Sequence, residues 1–170
     1  DMDYDSEIKS IIEYIKTYEG KYNRKIPVIV AGGIFDRDDI KHALSLGADG
    51  VQIGTRFVVT KECDASEEFK QAYLNARKED VQIVKSPVGM PGRAIRTDFM
   101  DNVSCARIPV KKCFHCLERC NPVTIPYCIT KALVEAVKGN IKGGLVFCGE
   151  KVYRLKEMTT VRALFEELVF

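Results

Sequence analysis

The sequence lacks a surplus of charge of either sign, and it lacks a long apolar run. Its 170 residues hold 26 Lys and Arg against 24 Asp and Glu, which leaves a formal charge of +2. This balance argues against a nucleic-acid module with a large basic surface. No apolar run approaches the roughly 20 residues of a membrane span, and the acidic start Asp1-Met2-Asp3 is neither a signal nor a transit peptide. We therefore expect a chain that binds neither nucleic acid nor membrane.

Histidine is scarce, whereas cysteine is abundant. The only histidines are His42 and His115, and the cysteines number seven. An odd count in a chain of this length is not typical of a secreted disulfide framework. We therefore expect a reducing, cytoplasmic location, in which the cysteines are free thiols, metal ligands or redox groups.

The first third of the chain has the pattern of a βαβ unit. After an amphipathic helix over residues 6–18, the β-branched run Ile26 to Ala31 predicts a strand that is buried on both faces. Asp36 stands at the N-cap of a following helix that ends at Gly47, and Gly50 to Gly54 predict a second strand. This order of strand, glycine turn, helix and strand indicates a parallel crossover.

Beyond residue 60 the periodicity is weaker, and the expectations are coarser. Arg93 is expected in a turn, where such a side chain ties a loop to backbone carbonyls more often than it binds a ligand. The predicted segments are a helix over 66–79, a short strand over 81–84, a long loop around a short helix over 85–112, a helix from Ile125 to Lys138, a short apolar segment from Leu145 to Gly149, and a closing helix from Val161 to Phe170. That closing helix is apolar enough to pack on the rest of the chain or on a partner subunit, so a homodimer stays open.

Glycine turns follow both strands of the βαβ unit. Gly32 and Gly33 follow the first strand, and Gln52-Ile53-Gly54-Thr55 close the second. Parallel strands place their ligand crevice at their carboxyl ends, where backbone N–H groups free of a Cβ neighbour bind phosphate. Glycines of an ordinary tight turn are the alternative interpretation, but two such turns on successive strands favour the phosphate site of a (β/α)8 barrel.

The stretch from Pro27 to Phe57, with its Ala31-Gly32-Gly33-Ile34 and Gln52-Ile53-Gly54-Thr55 motifs, resembles the last two barrel strands of the nitronate monooxygenase family, formerly called 2-nitropropane dioxygenases. Ser86 to Ile95 and Gly144 to Gly149 resemble bacterial members as well. FMN-dependent enoyl-ACP reductases share the long stretch, and IMP dehydrogenase-like barrels share a similar glycine pair.

The resemblance implies an FMN cofactor. Its phosphate would be held by Gly33 and by Gln52, Ile53, Gly54 and Thr55, and Gly32 would complete the first turn. Family members oxidise alkyl nitronates by passing electrons to FMN and on to dioxygen. Their histidine base lies on an earlier strand in a glycine-rich motif that this sequence lacks, so neither His42 nor His115 matches it and the catalytic residue stays unknown.

The expected fold is therefore α/β. Residues 1–84 would be the last two βα units of an FMN-binding (β/α)8 barrel, and residues 85–170 a loop-rich, mostly helical C-terminal extension that carries a cysteine cluster. A closed barrel needs about 250 residues, so we expect this chain to be a fragment, cut before the helix that leads into strand seven. A fragment with two strands would be inactive alone and would bind FMN poorly.

Four cysteines lie close together in the second half of the chain. Cys113, Cys116 and Cys120 form a C-x2-C-x3-C pattern, and Cys128 follows seven residues later. Four soft ligands could hold zinc or an iron–sulfur cluster, although the spacing matches no standard ferredoxin or zinc-ribbon pattern. Buried or redox-active thiols are the alternative. Besides the two flavin enzymes, a metal-stapled structural or interaction module is therefore the third functional hypothesis.

Overall fold

The computed structural model describes residues 3–118 and 120–169. Its helices and strands follow one another in a mixed α/β order. In chain order they are α1 (Tyr4–Tyr22), β1 (Ile29–Ala31), α2 (Arg37–Ser45), β2 (Gly50–Gln52), α3 (Thr55–Val58), α4 (Glu67–Leu74), β3 (Val81–Lys85), β4 (Pro91–Ile95), α5 (Asp98–Cys105), α6 (Ile129–Val137), β5 (Val146–Phe147) and α7 (Val161–Val169), with 3₁₀ turns at Lys78–Asp80, Ile141–Gly143 and Val152–Arg154.

The chain divides into two compact units. The first runs to Gly54 and also includes the chain from Val161 onward, and the second runs from Thr55 to Thr160. This boundary differs from the expected division at residue 84 because β3 pairs with β4 and so groups with the residues that follow it. That residues 1–84 match the last βα units of a barrel stays a prediction.

The first unit contains the predicted βαβ crossover. Strands β1 and β2 pair in parallel, with Ile29 opposite Gly50 and Ala31 opposite Gln52. Its core joins α1, both strands and α2 through five buried residues, namely Ile8, Ile12, Val30, Ala43 and Ala48. The closing helix α7 belongs to the same unit, where the Arg37 guanidinium donates hydrogen bonds to the Glu166 and Glu167 carbonyls at 3.2 and 3.0 Å.

The second unit is built around an antiparallel sheet in the order β3-β4-β5. Its core joins the sheet to α5 and α6 through seven buried residues, namely Val84, Ala94, Phe99, Met100, Tyr127, Ala132 and Leu145. The extension, which the sequence predicts to be mostly helical, therefore also contains strands β4 and β5. The pattern over 85–112 concealed β4 because the strand begins with Pro91-Gly92, residues that are depleted in strands.

The helix expected from Ile125 begins later, at Ile129. The carbonyls that would start it are engaged by the preceding loop: the Arg107 side chain donates to the Ile125 carbonyl at 2.9 Å, and the Ile108 N–H donates to the Pro126 carbonyl at 2.8 Å. Pro126 therefore precedes the helix. The helix expected over 66–79 likewise ends early, at Leu74. The closing helix begins at Val161 as expected, and Phe170 lies outside the described residues.

Candidate functional site

The pairing of β1 with β2 places both glycine turns at the same edge of the sheet. Ala31 and Gln52 are opposite each other at the ends of their strands. Gly32 and Ile53 are therefore the first residues to leave the sheet, and they leave it side by side. This is the arrangement in which the carboxyl ends of parallel strands form a ligand crevice.

The glycines of these turns have room for a ligand. Gly32 and Gly33 have φ angles of +89° and +72°, a left-handed conformation that favours glycine. A Cβ built on Gly32, Gly33 or Gly54 would meet no atom within 4 Å. Packing thus does not explain the missing side chain at Gly54, and its backbone is not left-handed. An exposed backbone that a small anion can approach closely is what the three glycines have in common.

Hydrogen bonds hold the first turn and limit where an anion can bind. The Tyr4 hydroxyl donates to the Gly32 carbonyl at 2.9 Å. At the start of α2, Asp36 accepts from the Asp39 N–H, and Asp39 accepts from the N–H groups of Phe35 and Asp36. This capping box confirms Asp36 as the N-cap, and its carboxylates occupy the helix terminus. A phosphate would therefore bind the glycine turns rather than this helix end.

Thr55 follows Gly54 directly and begins the second unit. Within that unit the Gly149 N–H donates to the Thr55 Oγ1 at 2.8 Å. A hydroxyl oxygen that accepts this bond keeps its own proton for another acceptor. A Cβ on Gly149 would lie only 2.6 Å from the Thr55 Oγ1, so glycine is required at position 149 for this contact.

The segment that presents Gly149 is held at its preceding residues. The Tyr73 hydroxyl donates to the Phe147 carbonyl, and the Cys148 N–H donates to the Arg93 carbonyl at 2.9 Å. Burial raises the pKa of the Cys148 thiol to about 11, and the nearby Arg93 guanidinium offsets only part of this rise. Burial, followed by the proximity of Cys148 and Cys63, raises the pKa of Tyr73 as well. Both groups are neutral at pH 7.

Arg93 and the two histidines take part in contacts other than those of the glycine turns. Arg93 lies within β4 rather than in a turn, and its guanidinium is 3.7 Å from the Glu150 carboxylate. The side chain of His42 is exposed, and its Nε2 is 2.9 Å from the Asp5 carboxylate. His115 lies in the cysteine-rich loop with a left-handed φ of +50°.

The four clustered cysteines come together in the second unit. Cys113, Cys116, Cys120 and Cys128 all line one cavity of about 380 Å³. Burial, and then repulsion from the other three thiols, raises the pKa of Cys120. Within residues 3–118 and 120–169, no three potential ligands are grouped so that they could hold one metal ion. The structure therefore does not support the expectation of a single zinc ion, because zinc requires its ligands at the corners of a small tetrahedron.

Two residues with a role at these turns cannot be found from the sequence pattern. Tyr4 precedes the helix predicted over residues 6–18, and its bond to Gly32 joins positions 28 residues apart. Gly149 ends the apolar segment from Leu145, in a stretch that resembles bacterial family members, but the sequence does not indicate its contact with Thr55. Contacts between residues far apart in the chain produce no periodic pattern in the sequence.

Comparison with known proteins agrees with this geometry. The family model described as Nitronate monooxygenase matches residues 5–170. A probable nitronate monooxygenase of Staphylococcus aureus (strain Newman) is 39% identical over 79 residues, which cover 46% of this chain and 22% of that protein. The chain thus spans about a fifth of the length of this curated relative.

Solved structures show the same fold over most of the chain. FabK from Thermotoga maritima superposes with a TM-score of 0.67 at 27% identity, covering 85% of this chain and 43% of that one. A nitroalkane oxidase from Streptomyces ansochromogenes superposes with a TM-score of 0.62 at 23% identity, covering 87% of this chain and 40% of the other. None of the described helices is long and apolar enough to cross a membrane. Because the family model matches almost the whole sequence, the chain belongs to the nitronate monooxygenase family of flavin-dependent oxidoreductases.

Proposed function

We propose that this chain supplies the phosphate-binding end of an FMN-dependent enzyme that oxidises alkyl nitronates with dioxygen. The observation that carries the proposal is the pair of in-register strands whose glycine turns leave an open, side-chain-free backbone at one edge. In this proposal the backbone at Gly33, Gln52, Ile53 and Gly54 holds the FMN phosphate, Gly32 shapes the turn, and the Thr55 hydroxyl donates to it.

The residues present fit a phosphate group. A Cβ on Gly32, Gly33 or Gly54 would meet no neighbouring atom within 4 Å, and the capping box of α2 uses no backbone N–H group of these turns. The chemistry that bound FMN would supply is acceptance of electrons from the nitronate and their delivery to dioxygen. The contribution of this chain is to bind and orient the cofactor by its phosphate. The base that acts on the substrate is not among these residues.

The same proposal treats the chain as part of a larger barrel. The described residues contain one pair of parallel strands, and the chain covers 40–43% of the solved structures that share its fold. Ile29 on β1 is 54% exposed, and Ile11 on α1 is exposed to a similar degree, at 52%. Remaining barrel strands would cover this apolar surface. Titrating FMN into the isolated chain should therefore show weak binding, and tight stoichiometric binding would contradict the fragment proposal.

The phosphate site is tested in the protein that carries this chain together with the rest of its barrel. FMN should bind about 10- to 100-fold more tightly than riboflavin, since hydrogen bonds to a charged group contribute about 1.5–3 kcal/mol. Gly54→Ala should weaken FMN binding and leave riboflavin binding nearly unchanged. Gly20→Ala, which also adds a methyl group in open space, is the matched control. Equal affinity for FMN and riboflavin would refute the site.

The activity is tested by mixing the flavin-loaded protein with an alkyl nitronate without oxygen. The flavin absorbance should bleach and then return when oxygen is admitted. An FMN-dependent enoyl-ACP reductase is the second candidate, because that family shares the Pro27–Phe57 stretch. Bleaching by NADH but not by the nitronate would favour it and exclude the first candidate.

The location and partners follow from the same proposal. None of the seven cysteines forms a disulfide, and the location we propose is a reducing, cytoplasmic compartment. The partner we propose is a small-molecule substrate. A homodimer through α7, on which Phe165 is 50% exposed, is tested by measuring the mass of the protein in solution.

A further inference from the structure

A cysteine-lined cavity in the second unit has no role in the proposed flavin site. It lies in the loop between the end of α5 at Cys105 and the start of α6 at Ile129, where the described residues contain no helix or strand. Its volume is about 380 Å³, and all four clustered cysteines line it. Irregular segments of this length are uncommon in compact domains unless something orders them.

The first cysteine turn is shaped to present its sulfur. The His115 N–H donates to the Cys113 Sγ at 3.4 Å, and His115 adopts the left-handed φ of +50° that this turn requires. Non-glycine residues in this conformation cost free energy and persist where the surroundings require them. A hydrogen bond of this kind orients the Cys113 sulfur, as bonds to ligand atoms do in metal sites.

The later cysteines meet the start of α6. Cys128 occupies the N-cap position of this helix, and the Cys116 Sγ is 2.9 Å from the Thr130 Oγ1. The first turn of α6 contains no acidic residue. Most of the remaining cavity wall is apolar, from Val110, Phe114, Leu117, Pro122 and Ile125, and Glu118 and His115 are its polar members.

The number and type of the ligands indicate what the cavity holds. Within residues 3–118 and 120–169, no three potential ligands are grouped so that they could hold one metal ion, so the proposal does not place a single zinc ion here. Four cysteine thiolates are the usual ligand set of an iron–sulfur cluster, in which they bind different iron atoms. From the four cysteines and their shared cavity, we propose that Cys113, Cys116, Cys120 and Cys128 bind an iron–sulfur cluster.

The proposal is independent of the flavin site, since all four ligands lie in the second unit. The test uses the whole 170-residue chain, purified without oxygen and reconstituted with ferrous iron and sulfide. Iron and acid-labile sulfide should be bound in equal, stoichiometric amounts, with broad visible absorbance and an electron paramagnetic resonance signal after reduction. Iron bound without sulfide, equimolar zinc in place of iron, or neither metal, would overturn the proposal.

Serine variants locate the ligands. Cys116→Ser and Cys120→Ser should each lower the retained iron at least about tenfold, since even loss of an outer-shell partner costs about 10- to 100-fold in metal affinity. Cys105→Ser is the matched control, because Cys105 is exposed and does not line the cavity. Circular dichroism establishes that each variant folds. Iron content that is unchanged in both folded ligand variants, or that falls equally in Cys105→Ser, would also overturn it.

Discussion

The contact between Gly149 and Thr55 gives a prediction that can be worked out from distances alone. An added methyl group at position 149 would lie 2.6 Å from the Thr55 Oγ1, in place of a hydrogen bond of 2.8 Å from the Gly149 N–H. Overpacking of this kind costs about 1–3 kcal/mol, and the lost hydrogen bond about 1 kcal/mol. We therefore expect Gly149→Ala to lower the free energy of unfolding by about 2–4 kcal/mol.

The cause is isolated by a double-mutant cycle. In a Thr55→Ala background the obstructing oxygen is gone, so Gly149→Ala should cost less than about 1 kcal/mol, which gives a coupling of at least about 1 kcal/mol. Thr55→Ser keeps the oxygen and is the matched control, in which Gly149→Ala should cost about as much as in the parent. The measurement is urea denaturation followed by circular dichroism, analysed for the unit that holds both residues.

An equal cost of Gly149→Ala in the parent and in the Thr55→Ala background would refute this reasoning, because the loss would then not depend on the hydroxyl. A Gly149→Ala variant as stable as the parent would refute it as well. Either result would also remove the support that this contact gives to Thr55 as an oriented donor.

Three further predictions concern other contacts. Gly33→Ala should lower the free energy of unfolding by about 1–2 kcal/mol because an L side chain is strained in the left-handed region. Gly54→Ala, whose new methyl group meets nothing within 4 Å, should change it by less than about 0.5 kcal/mol. Urea denaturation measures both variants, and equal losses would contradict this prediction. Hydrogen bonding from the Val28 N–H, and then from Lys25, lowers the pKa of Asp49 in the folded chain, so its stabilising contribution is complete above the unfolded pKa of about 3.9 and is lost as pH falls through the lower folded value. Asp49→Asn should therefore destabilise the chain at pH 7 and flatten its acid unfolding curve below pH 4, and a variant that is as acid-sensitive as the parent would count against this. The pKa of Cys148 is about 11, and the thiolate is the form that iodoacetamide alkylates. At pH 8 the alkylation of Cys148 should therefore be far slower than that of the exposed Cys105, and its rate should rise about tenfold per pH unit. Mass spectrometry follows both rates, and a Cys148 rate that does not depend on pH would show this to be wrong.

Much of the first unit could be predicted because its signals are local. The β-branched run before Gly32, the N-cap Asp36 and the glycine after α2 each act within a few residues of where they stand, and the structure has the parallel βαβ unit that they indicate. The resemblance to the nitronate monooxygenase family rests on this same stretch and is confirmed by the family model.

The second unit was predicted less well because its contacts are distant in sequence. Gly92 weakens the strand signal of β4, yet the structure shows why glycine stands there: a Cβ would collide with the Phe147 ring of β5. Likewise, the start of α6 is set by Arg107 and Ile108, which bind carbonyls 18 residues downstream. The secondary-structure propensities of neighbouring residues do not reveal either of these distant contacts.

The sequence by itself determined the family, the glycine turns and the presence of four closely spaced cysteines, because each depends on residue type and short spacing. Tertiary structure decided the rest. Strand register brought the two turns to one edge, and the hydrogen bond from Gly149 fixed Thr55. The fold of the loop before α6 brought the four cysteines to one cavity. These outcomes depend on which residues that are distant in the sequence come into contact. Backbone geometry rather than composition determines those contacts.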